Sequence, residues 1–243
     1  MLKLQKRFMM TAAAAIAAGS LWASAAQAEL ITVGVQTTAG GAITNAGTSA
    51  LGFINWTPAT FGNFRTQGTA QDTFSSGLPE VLLSNSIDVS AVASGPSTIW
   101  IYVTAQGQNA ITGLTDWKSS FTSNSLPTGW SATTTTFYDS ADGLYNGTST
   151  GLAATAAQLQ TATFASIGTS GPFFNISTLP ADWSVSEVYA ITGFWDGSST
   201  QSHNANVTID LSVVPIPEPA SLSLLGGALL GLGLWRRRRD QKA

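Results

Sequence analysis

Strict alternation from Val207 to Val214 is the feature that most limits what this chain can become. Val207, Ile209, Leu211 and Val213 fall on one face of an extended segment and Thr208, Asp210 and Ser212 on the other, the pattern of a strand that buries one side. The same period recurs at Leu30 to Thr37, where Ile31, Val33 and Val35 share a side, and at Val185 to Trp195, where Val188, Ala190 and Phe194 oppose Tyr189 and Ile191. Thr98 to Ala105 is apolar on both sides, with Ile99, Ile101 and Val103 against Trp100 and Tyr102. It is expected as a central strand between two layers, with Trp100 in the core. Further strands are expected over Ala50 to Trp56, Phe61 to Thr66, Ser86 to Ala93, Trp117 to Ser123 and Trp130 to Tyr138. Turn signals such as Gly40-Gly41, Gly95-Pro96, Asp142-Gly143 and Asp196-Gly197 separate them. Many short strands punctuated in this way imply an all-β fold, an antiparallel β-sandwich that is jelly-roll-like. Gly151 to Ala165, rich in alanine, is the best place for a helix, with an alanine-rich strand and loop as the alternative.

The ends of the chain have a different character. Lys3, Lys6 and Arg7 precede an apolar stretch from Phe8 to about Ala26, and Ala26-Gln27-Ala28 supplies a small-x-small cleavage pattern. That order predicts a secretory signal peptide over residues 1–28, removed by signal peptidase after Ala28. Residues 29–214 then form one domain, long enough to bury a core. It contains no cysteine, so packing and hydrogen bonds must hold it, and thiol catalysis, thiolate metal sites and redox switching are excluded. Arg65 and Lys118 are its only bases, against eleven acids from Glu29 to Asp210. A body of that sign does not bind nucleic acid or an anionic membrane surface by counterion release.

Beyond Val214 the chain reads PIPEPASLSLLGGALLGLGLWRRRRDQKA. Prolines fix φ and remove backbone donors, so Pro215 to Pro219 is expected to be extended and exposed. The apolar run from Ala220 to Trp235 makes roughly 24 Å of helix against a hydrocarbon core of ~30 Å, so it can only just span. Arginine snorkelling and bilayer thinning extend its reach. Arg236, Arg237, Arg238 and Arg239 form a stop signal that the positive-inside rule keeps in the cytoplasm.

These tail residues resemble the PEP-CTERM sorting signal of bacterial exported proteins. Pro217, Glu218 and Pro219 match the name-giving tripeptide, the run over 219/220–235 matches the membrane helix, and Arg236 to Arg239 match the basic end, 236–243. Ile216 stands where a valine often precedes the tripeptide. The resemblance covers residues 215–243 and implies routing rather than the activity of the body. It implies an exosortase, a membrane-embedded processing enzyme of Gram-negative exopolysaccharide producers, as partner. Transient anchoring in the inner membrane would be followed by delivery to the cell surface or the extracellular biofilm matrix.

Chemistry in the body is sparse. His203 is the one histidine, and Asp196 and Ser202 lie near it, yet no strand-turn-helix nucleophile context surrounds any serine, and a solvated loop histidine is expected. The scattered acids define no acid-base pair of the kind a glycosidase needs. Asp139-Ser140-Ala141-Asp142-Gly143 offers oxygen ligands suggestive of calcium but lacks EF-hand spacing, and a turn capped by two aspartates is the expectation. No catalytic, cofactor or metal residues are therefore assigned. Trp56, Trp130 and Trp183 flank Pro or Gly turns and are expected at the surface, where an indole can stack on a sugar ring. The chain is expected to be a non-enzymatic surface or matrix protein, with a carbohydrate-binding module or adhesin for exopolysaccharide as the alternative. A hydrolase working through paired carboxylates stands behind both.

Overall fold

The computed structural model describes residues 30–72, 81–108, 115–145, 156–171, 173–176, 182–197, 203–215 and Leu229. The signal segment 1–28, the motif residues Pro217, Glu218 and Pro219, and Arg236 to Arg239 lie outside the described residues, as does the spanning run apart from Leu229. Among the described residues no helix is long and apolar enough to cross a membrane.

Two antiparallel sheets make up the body. One runs β2 (Thr44–Ser49), β1 (Leu30–Gln36), β6 (Ser97–Gln108), β12 (Trp183–Gly193), β8 (Ser131–Asp139), β9 (Ala157–Phe164). The other runs β10 (Gly168–Ser170), β7 (Thr115–Ser125), β13 (Asn204–Pro215), β5 (Val81–Ala91), β4 (Phe64–Asp72), β3 (Phe53–Phe61), with β11 (Phe173–Ile176) also pairing with β7. Their facing sides bury a continuous apolar core. From β13 come Ala205, Val207, Ile209 and Leu211, from β1 Ile31, Val33 and Val35, and from β6 Ile99, Ile101, Val103 and Ala105. Each set is one parity of an alternating strand, so burial follows directly from the period-two pattern.

Several polar contacts cross that core, one of them at a register shift. Pairing between β13 and β5 shifts register between Val207 and Ile209, and the Ile209 amide donates to the Tyr189 hydroxyl of β12 at 3.1 Å. That hydroxyl donates to Glu187 Oε2 at 3.3 Å. A shift in a ladder disturbs backbone pairing, and here a phenol from the opposite sheet takes up an amide of the shifted strand.

β6 is buried on both faces, but the outer cover is local. Tyr102 and Val188 are buried there under Ile43, Trp100, Phe137, Tyr145 and Ala156. The Tyr102 hydroxyl donates to Gln36 Oε1 at 2.7 Å, and its ring lies 5.8 Å from that of Tyr145. Burial pushes both phenols up to about 12. Gly34 makes room for this arrangement, since a Cβ there would come within 2.6 Å of the Tyr145 ring. Trp100 shares parity with Tyr102, so it sits half-buried on this outer face and not in the inter-sheet core where it was expected.

Two further expectations change. The alanine-rich segment forms strand β9 over its described part, paired with β8 through Thr133–Thr163 and Thr135–Thr161 hydroxyl contacts of 3.1 and 3.0 Å. Sheet pairing here outweighs the helix propensity of alanine. Residues 151–155 lie outside the described residues. The strand expected to end at Trp56 continues as β3 to Phe61 through Pro58, which is tolerated because β3 is a sheet edge and its register shifts between Trp56 and Ala59.

The sandwich has distinct ends. Leu30 pairs with Gln106 near the end of β6, and Pro215 pairs with Thr115 at the start of β7. Both described termini of the body therefore lie at one end, here called proximal. The distal end holds the starts of β8 and β13 and the finish of β12.

Candidate functional site

Local geometry at the distal end begins with Trp130. The turn Leu126 to Trp130 is closed by the Trp130 amide donating to Pro127 O at 3.0 Å, with Gly129 at φ +81°, a conformation that favours glycine. The Trp130 indole then lies over Gly193, where a Cβ would come within 2.3 Å of the ring. Its Nε1 donates to Phe194 O at 3.1 Å, and it meets Phe64 edge-on at 6.1 Å. Having ended β12, the chain turns Phe194 outward, so that a third of its surface is accessible. Trp195 makes a parallel bridge with Ser94.

Seven residues apart in sequence, Asp196 and His203 meet here, with Oδ1 and Nε2 3.3 Å apart. The imidazole also stands edge-on to Trp195 at 6.3 Å, and the His203 carbonyl accepts from the Ala91 amide at 3.1 Å. With Leu126, Pro127, Thr128, Trp130 and Phe194 this pair lines a cleft of about 620 Å³. Chemically the cleft offers an apolar and aromatic side, a carboxylate, an imidazole and a hydroxyl. That combination can meet both the hydroxyls and the apolar C–H faces of a polyol. Asp196 is the one carboxylate among the described residues of its lining, whereas glycosidic cleavage uses two. Ser202 lies outside the described residues.

The tryptophans expected at the surface are elsewhere. Trp56, Trp130 and Trp183 are all buried, at 4%, 2% and 2% exposure, so the expected stacking faces are covered. Trp56 lies over Gly68, directly opposite on β4, and Trp183 packs edge-on to Trp117 at 5.3 Å. Large rings beside turns fill the ends of the core because the neighbouring strand offers a glycine or another ring to cover them. Sequence reasoning missed Phe194, whose alternation placed it within a strand, and the pairing of Asp196 with His203.

The Asp139 to Gly143 segment is a turn at the proximal end. Asp139 Oδ1 accepts from the Ala141 amide at 2.9 Å and Asp142 Oδ1 from the Gly107 amide at 2.8 Å. Asp142 is held above the usual aspartate value, first by burial and then by the charges of Asp182 and Asp139, with the Gly107 bond opposing. Asp210, on the outer side of β13, is likewise raised by burial, against the pull of Lys118. Among the described residues no group of three potential ligands is placed to hold a metal ion.

Several solved structures are similar to the body. TmCBM61 in complex with beta-1,4-galactotriose is 8% identical, covering 64% of this chain and 90% of its own, at a TM-score of 0.28. The CBM22-1 xylan-binding domain from Paenibacillus barcinonensis Xyn10C is 7% identical over 75% of this chain and 94% of its own, at 0.32. The adhesin domain of Epf from Streptococcus pyogenes is 11% identical over 79% and 66%, at 0.29. At TM-scores this low, these likenesses carry neither fold nor ligand across. No curated protein matches the chain. The tail is different: residues 215–239 match the PEP-CTERM protein-sorting motif, beginning at the last residue of β13. The chain therefore carries a PEP-CTERM sorting signal at its C-terminal end.

Proposed function

We propose that this is a non-catalytic exported protein, held for a time in the inner membrane by its tail and then passed to the cell surface or the extracellular polysaccharide matrix. The sorting motif carries this reading, since a PEP-CTERM signal implies export and an exosortase as processing partner. In the proposed layout residues 1–28 are removed by signal peptidase and 29–214 form a jelly-roll-like ectodomain. Residues 215–243 supply the motif, the spanning helix (219/220–235) and the cytoplasmic basic tail (236–243). Continuity of β13 into the motif supports it further: with only Ile216 to Pro219 between the strand and the apolar run, the uncut body would stand close to the membrane. Replacing Pro217, Glu218 and Pro219 together by alanine is expected to trap the protein in the inner-membrane fraction. Normal release of that variant would refute sorting by this motif.

The distal cleft favours a second reading, in which the body is a carbohydrate-binding module or adhesin. A hydrolase has less support, because the cleft brings a single described carboxylate to its lining.

A further inference from the structure

The sorting motif begins inside the fold. Its first matched residue, Pro215, is also the last residue of β13, and it stands in register with Thr115, the first residue of β7. Proline offers no backbone donor, so Pro215, Pro217 and Pro219 keep the ladder from growing into the tail. From Ile216 to Pro219 the chain reaches at most about 14 Å beyond that last pair.

The two sides of β13 end at different points. Its pairing with β5 runs to Ser212 opposite Val81, whereas its pairing with β7 continues through Val213, Val214 and Pro215, opposite Trp117, Asp116 and Thr115. Among the described residues these last three therefore have a strand on one side only, and Ser212 has one on each. β7 is the firmer partner. β11 pairs along its other side from Lys118 to Thr115, and Trp117 is buried edge-on to Trp183 at 5.3 Å. When the two strands part, β13 peels from a fixed β7, and the peeling stops at the doubly held Ser212.

We propose that these three pairs are a latch on processing: the exosortase cuts the tail only after Val213 to Pro215 have left β7. This deepens the sorting reading and rests on it. Extended peptides are gripped through their main-chain hydrogen-bonding groups, as an added strand. For a cut near Pro217 to Pro219, the residues on the body's side of the bond run back through Ile216 into Pro215, Val214 and Val213, and all but Ile216 already sit in the sheet. β7, with β11 beyond it, occupies that flank. Local opening at the end of an element costs far less than global unfolding, so the latch opens without loss of the body, and its open fraction sets the rate of release. Thr115, Asp116 and Trp117, far from the motif in sequence, thereby help to set how fast the tail is cut.

The test follows the full-length chain by pulse-chase in cells that contain the exosortase, with the intact mass and amount of released body as the readout. Inserting Gly-Ser-Gly-Ser-Gly-Ser between Pro215 and Ile216 gives the enzyme unpaired residues and is expected to speed release about 10-fold, the change that roughly one net backbone hydrogen bond represents. Conversely, Val214→Cys with Asp116→Cys joins register partners in a chain that has no cysteine. A disulfide formed there after export, verified by non-reducing electrophoresis, should slow release by at least ~10-fold relative to the unbridged strand pair. Brief reduction with dithiothreitol should restore the original rate, which a damaged fold would not show, and each single-cysteine variant should release normally. An unchanged or slower rate for the spacer variant, or free release of the bridged pair, would overturn the latch. The alanine variant of Pro217, Glu218 and Pro219 keeps the two ideas apart: if it stays trapped, sorting stands whatever the latch does, and if it is released, both fall.

Discussion

At the scale of single residues, two glycines decide where tryptophans can go. Gly68 and Gly193 each lie under an indole, Trp56 and Trp130 respectively, with no room for a methyl group. A glycine within a strand leaves the pleated surface without a side chain, and an aromatic from the neighbouring strand covers the gap. Pro58 near Trp56 and Gly129 beside Trp130 made these tryptophans look exposed, whereas Gly68 and Gly193 across the pairing are what lets them be buried. Gly193→Ala is expected to destabilise the body by about 1–3 kcal/mol through overpacking, read as a lowered urea midpoint with unchanged slope. Because the same indole anchors the Phe194 carbonyl, this variant tests whether one wall of the cleft depends on core packing.

At the scale of elements, three of the strands whose apolar pattern is plainest in the sequence form the centre of the sheets. β6 and β12 are adjacent in one sheet, and β13 lies between β7 and β5 in the other. The bridge from Ile209 through Tyr189 to Glu187 joins these central strands. Tyr189→Phe keeps the ring but deprives a buried amide and a buried carboxylate of a hydroxyl. It is expected to cost about 1–3 kcal/mol, measured by chemical denaturation, whereas the same change at a surface tyrosine would be near neutral. β1 and β13 were legible in the sequence because burial of one face writes itself into every second residue, and β6 and β12 because both of their faces carry apolar residues. β2 (TNAGTS), β10 (GTS) and β11 (FFNI) were not. They are short, and β2 and β10 close the edges of their sheets, so their conformation is dictated by β1 and β7 more than by their own composition. The cleft was less legible still. Asp196 and His203 stood close in the chain, but only the end of β12 and the start of β13 turn that proximity into a contact.

At the scale of the whole molecule, the described end of β13 and the cleft lie at opposite poles of the sandwich. The acidic body, with Arg65 and Lys118 as its only Arg and Lys residues, has little electrostatic reason to lie along an anionic leaflet, whereas the run Arg236 to Arg239 belongs to the tail. Intact mass of the protein recovered from the cell surface is expected to lack Met1 to Ala28 and everything beyond the Pro217 to Pro219 region. Recovery of the unshortened polypeptide there would contradict the processing scheme.

Leu30 and Pro215 leave the sandwich from the same pole, and this bears on how the protein is let go. In the proposed scheme the body would be tethered, before either scission, from this one pole. Severing one tether would leave the other at the same pole, so the two cuts could fall in either order without turning the far tip toward the bilayer.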